Sequence, residues 1–167
     1  RVVQMPISVK VTPYFTDMAK FMQQLSWMGV QGISMFNKMP MVDINVDKIE
    51  LCEASKVSAP EELYNTLRWT AILSSKLRCP ISATTGVYSA DDVVKLLLAG
   101  AGTVQVVSAL YKNGLQYMQD LNDGLKAWMS KHNYDKLDQF VGKLAVKSND
   151  NASIALRTQF MRYFAEI

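Results

Sequence analysis

Four short stretches of this sequence end in residues that could bind a polar group. The first, Ile7-Ser8-Val9-Lys10-Val11, alternates Val9 and Val11 with Ser8 and Lys10 and stops at Pro13, so it reads as a strand over 7–11. A lysine turned inward near the carboxyl end of such a strand needs an anionic or polar partner. Turned outward, Lys10 is a solvated edge residue, and both readings stand. The second stretch, Gly32 to Phe36, ends at Asn37-Lys38. The Asn37 amide can donate to and accept from a planar polar ligand, or it can form a turn. The third, Pro80 to Thr84, runs into Thr84-Thr85-Gly86, which offers two hydroxyls, backbone N–H groups and a glycine free to take positive φ. The fourth, over 103–107, ends at Val107-Ser108. Hydroxyls and N–H groups at the ends of neighbouring strands suit a phosphate. A βαβ unit that packs well and binds nothing would look the same.

The elements between these ends are legible. Ser89-Ala90-Asp91-Asp92 has the form of a helix start close to a capping box. Val93, Val94, Leu96, Leu97 and Leu98 supply an apolar face, and Ala99-Gly100-Ala101-Gly102 closes the helix before the fourth strand. Two strands joined by one short helix imply a right-handed βαβ unit with parallel strands. Upstream, Thr16 is the expected N-cap of a helix carrying Met18, Phe21, Met22, Leu25 and Met28, stopped by Gly29. The connection from Met39 to Val57 is long enough to imply a functional loop or a small added hairpin. Its Asp43, Asp47 and Glu50 fit no motif and read as solvated. Ser58-Ala59-Pro60-Glu61 has capping-box spacing and opens a helix through Leu63, Leu67 and Ala71. After Ser108, Asn113-Gly114 breaks the chain, and Leu115 to Met129 forms a long amphipathic helix with His132 at its surface end. A short helix over Asp135 to Phe140 and a helical tail over Ala152 to Ile167 complete the order.

Composition narrows the function classes. The chain has 167 residues, about half of them apolar, enough for one domain with a substantial core. Its net charge of +3 is spread without a basic stripe, which argues against nucleic acid as a partner. No apolar run reaches membrane-spanning length. Two distant cysteines and a single histidine make no metal-ligand spacing, so no metal site is expected. A reducing, cytoplasmic setting is the simplest expectation. Four strands in βα alternation make either a small open sheet or half of a (β/α)8 barrel, a fold of roughly 250 residues whose loops after strands seven and eight commonly hold phosphate.

Resemblance chooses between them. ISVKVTPYFTD, GISMFN, PISATTGVYSADDVVKLLLAGAGTVQVVSAL and GLKAWM, spread over residues 6 to 143, resemble the carboxyl-terminal half of the dihydroorotate dehydrogenase family, nearest its dehydrogenase-like members of uncertain activity. The order, the spacings and the position of Gln105 carry the likeness. It implies an α/β fold, namely strands five to eight of a TIM (β/α)8 barrel with outer helices, over residues 1–145; residues 146–167, beyond the likeness, are expected as a helical tail. The likeness further implies FMN at the carboxyl face. Lys10 matches the lysine that contacts the flavin ring. Asn37 matches the asparagine that holds the pyrimidine substrate, and Lys38 stands where a Thr or Ser usually follows it. Ser58 and Ala59 match a Ser-Gly before the sixth helix. Thr84, Thr85 and Gly86 match the phosphate loop, with Thr85 in place of its first glycine. Val107 and Ser108 match a Gly and a hydroxyl residue at the same phosphate.

The reaction implied is oxidation of dihydroorotate to orotate, in pyrimidine biosynthesis, by hydride transfer to the flavin. The family's catalytic base belongs to the other half of the barrel, so no catalytic residue is expected here and the isolated chain should not turn over substrate. Its partners would be the amino-terminal half of the barrel or, over the open face, a second copy of itself. The glycines lost at Thr85, Ala59 and Val107 leave an alternative: a non-catalytic paralogue that holds another phosphate-bearing ligand or a protein partner.

Overall fold

The computed structural model describes residues 4–39 and 41–146. In chain order the regular elements are β1 (Ser8–Val11), α1 (Met18–Trp27), β2 (Gly32–Met35), β3 (Val42–Asn45), β4 (Glu50–Glu53), α2 (Leu63–Leu73), β5 (Ile81–Ala83), α3 (Ala90–Leu98), β6 (Thr103–Val104), α4 (Ser108–Asn113) and α5 (Tyr117–Lys131). A 3-10 turn over Pro60–Glu62 leads into α2, and another over Leu137–Gln139 follows α5. The tail helix expected from residue 152 lies outside the described residues.

Four parallel strands form one sheet in the order β1-β2-β5-β6, which is also their order in the chain. With right-handed crossovers, an order that never reverses puts the connecting helices on one face. The register shows this. Val9, Ile33 and Ile81 share one rung, and Val11, Met35, Ala83 and Val104 share the next but one. These residues pack with Met18 and Met22 of α1, Leu63, Ile72 and Leu73 of α2, and Leu96 of α3. The intervening rung is Lys10, Ser34, Ser82 and Thr103. Strand side chains alternate between faces, so this rung lies on the side away from the helices. There Thr103 Oγ1 lies 2.7 Å from Ser82 Oγ, and Gln105 Nε2 donates to Ser34 and Ser82 at 3.0 and 2.8 Å. The helix-free face is therefore polar rather than a second apolar core.

Several boundaries differ from expectation. Asp17, not Thr16, caps α1, accepting from the Lys20 N–H at 3.0 Å. Both residues are good caps, and the helix starts one residue later. The capping box of α3 forms as its sequence implies, with Ser89 accepting from Asp92 N and Asp92 accepting from Ser89 N. The box expected at Ser58 and Glu61 does not form; Ala59 precedes the 3-10 turn without a side-chain cap. The fourth strand ends at Val104. Its last rung to β5 is extended only by Gln105 N–H donating to Ala83, after which the chain turns into α4, a helix absent from the sequence reading.

The long connection after β2 holds the hairpin β3–β4, with exposed Asp43, Asp47 and Glu50. Helix α5 packs closely on α3: a Cβ on Gly124 would come within 2.4 Å of Ala90 Cβ. Beyond it, fully buried Phe140 sits against Trp128 and Tyr134, and His132 caps the exposed end of α5 against Trp128. Among the described residues, no helix is long and apolar enough to cross a membrane.

Candidate functional site

The carboxyl ends of all four parallel strands meet at one cavity of about 130 Å³. β1 supplies Lys10, and the segment after β2 supplies Asn37 and Lys38. The turn after β5 supplies Thr84, Thr85, Gly86 and Val87, and the segment after β6 supplies Gln105, Val107 and Ser108. Lys56 and Ser58 close it from the loop ahead of α2. Every position singled out in the sequence is among these except Ala59, which is exposed.

The turn after β5 keeps a glycine-type path through two residues. Gly86 has φ +77, and a Cβ there would fall 2.2 Å from Leu63 N, so no other residue fits. Thr85 has φ +86, a conformation that a β-branched residue rarely takes. Two hydrogen bonds hold it: Thr85 Oγ1 donates to Phe36 O at 2.7 Å, and Thr66 Oγ1 donates to Thr84 O at 3.0 Å. The backbone N–H groups of Thr85 and of buried Val87 have no acceptor among the described residues. Both residues line the cavity, and backbone N–H groups in such a turn can receive an anion.

Ser58, freed from capping, becomes the centre of the polar network. Its N–H donates to Ser108 Oγ at 2.9 Å, the two hydroxyls are 2.9 Å apart, and Gly86 N–H donates to Ser58 Oγ at 3.2 Å. Tyr88 OH donates to the Ser58 carbonyl; Tyr117 OH donates to Tyr88 O at 2.8 Å, and Lys112 Nζ stands 4.7 Å from the Tyr88 ring centre. Three lysines border the cavity. Lys38 pairs with Glu62 at 2.5 Å and Lys56 with Glu53 at 3.5 Å. Lys10 is exposed and makes no hydrogen bond or ion pair among the described residues. The sequence reading missed Lys56, Tyr88 and Glu62 as site neighbours. Lys56 and Glu62 flank Ser58 closely enough to have been suspected; nothing local marks Tyr88.

Cysteine chemistry lies elsewhere. Cys79 stands at the amino end of β5, and burial pushes its thiol up, so it stays protonated and inert. Among the described residues no group of acidic, histidine and cysteine side chains could hold a metal ion.

The fold is that of an α/β protein with a parallel sheet wound in chain order, and its hydroxyls, open N–H groups and lysines converge at the carboxyl ends of the strands, the end of such sheets where ligands bind. The family model for dihydroorotate dehydrogenase matches residues 1–129, and the chain belongs to that family. It is 26% identical over 140 residues to the dihydroorotate dehydrogenase B (NAD(+)) catalytic subunit of Pyrococcus furiosus, covering 82% of this chain and 47% of that protein. The catalytic subunits of the same name from Alkaliphilus oremlandii and Methanothermobacter thermautotrophicus are 27% and 28% identical, covering 86% and 84% of this chain and 48% of each relative. The chain thus spans about half the length of the curated relatives it matches.

Proposed function

We propose that this chain is the half of a (β/α)8 barrel containing strands five to eight of an FMN-dependent oxidoreductase. The parent would oxidise a dihydropyrimidine of the dihydroorotate kind as a step of pyrimidine biosynthesis in the cytoplasm. One observation carries the reading: the cavity gathers Lys10, Asn37, Ser58, Thr85, Gly86 and Ser108 from separate strand ends, the positions at which the family binds flavin and pyrimidine.

The residues fit the cofactor. The unaccepted N–H groups of Thr85 and Val87, the hydroxyls of Ser58 and Ser108 and the cationic border suit its phosphate. Thr85 stands in place of a glycine yet keeps the glycine conformation, so the loop path survives the substitution. Lys10, with no protein partner, supplies a cation for the electron-rich ring. Asn37 presents one donor and one acceptor to the pyrimidine edge. When bound, FMN supplies acceptance of the hydride.

The ionisable side chains of this cavity are lysines and, behind Lys38, Glu62 in an ion pair. The proton acceptor is therefore assigned to the other half of the barrel, which would also cover the polar sheet face and meet the open edges of β1 and β6. A visible absorption spectrum of the purified full-length parent, followed by FMN titration, tests the reading. A bound-flavin spectrum, bleached by a dihydropyrimidine, is the expected result. Well-folded protein that takes up no FMN would overturn it.

A further inference from the structure

We propose that Tyr88 is a positioning residue for the phosphate end of the flavin: it locks Ser58 so that the Ser58–Ser108 pair presents one hydroxyl proton to a phosphate oxygen. The inference rests on the cofactor reading above and adds to it a side chain that does not line the cavity. Three helices hold Tyr88. Its N–H donates at 3.1 Å to Asp92 Oδ2 in the first turn of α3, the same oxygen that accepts from Ser89 N–H in the capping box. Its carbonyl accepts from the Tyr117 hydroxyl, at the start of α5, at 2.8 Å. Lys112 of α4 places its ammonium 4.7 Å from the ring centre, within cation–π reach. With its backbone and ring so fixed, Tyr88 OH donates to the carbonyl of Ser58.

The hydrogen bonds of buried Ser58 show what that grip achieves. Ser58 Oγ accepts from Gly86 N–H at 3.2 Å, and Ser108 Oγ accepts from Ser58 N–H at 2.9 Å. The two hydroxyl oxygens lie 2.9 Å apart, so one hydroxyl donates to the other. Each carries one proton. One proton of the pair is therefore left over, without an acceptor among the described residues. Both side chains line the cavity, beside the open N–H groups of Thr85 and Val87. A surplus of donors at one end of a cavity suits a group made of acceptors, which a phosphate is.

Local structure does not hold Ser58 in this place. Ala59 leads into the 3-10 turn without a side-chain cap, so the bond from Tyr88 does what a cap would otherwise do. Without the Tyr88 hydroxyl, a carbonyl on a buried residue loses its donor, and the peptide between Ser58 and Ala59 turns to find another. Ser58 Oγ then moves off Ser108 and Gly86, and the surplus proton loses its aim. Lys10 and Asn37, assigned to the ring and the pyrimidine, come from β1 and the segment after β2 and share none of these bonds.

Fluorescence titration of the full-length parent, stripped of flavin, with FMN and with riboflavin separates the phosphate end from the ring. Tyr88→Phe keeps the ring and its Lys112 contact and removes the hydroxyl alone. It is expected to weaken FMN about tenfold and to leave riboflavin within about twofold. Inorganic phosphate, titrated as a competitor of FMN, should weaken by the same factor of about tenfold. If that variant does not fold, Tyr117→Phe frees the Tyr88 carbonyl instead and should weaken FMN about threefold with riboflavin again within about twofold. Unchanged FMN affinity, a loss shared equally by riboflavin, or phosphate binding that stays intact makes Tyr88 a packing residue only and overturns the proposal, while the cofactor reading stands. Failure of the unaltered protein to take up either flavin overturns the cofactor reading itself.

Discussion

Thr85 shows at the scale of one residue how a site tolerates an unfavourable side chain. A β-branched residue at positive φ is destabilising by about 1–3 kcal/mol, and its hydroxyl returns about 1 kcal/mol through the bond to Phe36 O. The two contributions nearly offset each other, which gives a prediction with opposite arms. Thr85→Gly removes the strain together with the hydrogen bond and should leave stability in urea denaturation within about 1 kcal/mol of the parent. Thr85→Val keeps the strain, loses the bond and strands the Phe36 carbonyl, so it should be destabilising by about 1–2 kcal/mol. Equal effects of the two substitutions would refute this account of the turn. Nothing in the local sequence announces that Thr85 adopts a glycine's conformation; the positive φ follows from how the chain must pass between α2 and the end of β2.

Two helix starts that look alike in sequence behave differently as elements. Ser89 makes the reciprocal bonds of a capping box with Asp92, whereas Ser58 leaves its turn uncapped and joins Ser108 and Gly86. Ser89→Ala is therefore expected to cost about 1 kcal/mol of stability with FMN affinity unchanged. Ser58→Ala is expected to weaken FMN binding more than its effect on stability explains, because it removes an acceptor for Gly86 N–H and the partner of Ser108. Chemical denaturation and flavin titration of both variants check this, and a cap-like result at Ser58 would remove it from the site. The difference arises because a capping box closes within four residues, while Ser58 answers to partners 28 and 50 positions away.

Among the described residues the sheet has one covered face and one polar face, with β1 and β6 as open edges. Unpaired edges recruit other strands, and a sheet left open this way needs a partner. The chain alone is thus expected to sediment as a dimer or larger species and, on the proposed half-barrel reading, to become a defined one-to-one complex when produced with the other barrel half. A monomer by sedimentation velocity over micromolar concentrations would count against this closure. The alternation of Val9 and Val11 with Ser8 and Lys10 made the two faces of β1 readable in advance. The polar rung of Lys10, Ser34, Ser82 and Thr103 was equally present in the sequence, but its meaning depends on the register that aligns it across four strands.

By itself the sequence determined the βα alternation, the four parallel strands, the capping of α3 and the family. These rest on periodicity, short-range capping and ordered motifs, all of which act over a few residues. Tertiary structure decided that Thr85 takes positive φ, that Ser58 binds Ser108 instead of capping a helix, that β6 stops after two residues, and that Lys38 reaches Glu62. Each depends on groups brought together from distant parts of the chain, where hydrogen bonding and charge pairing outweigh local preference.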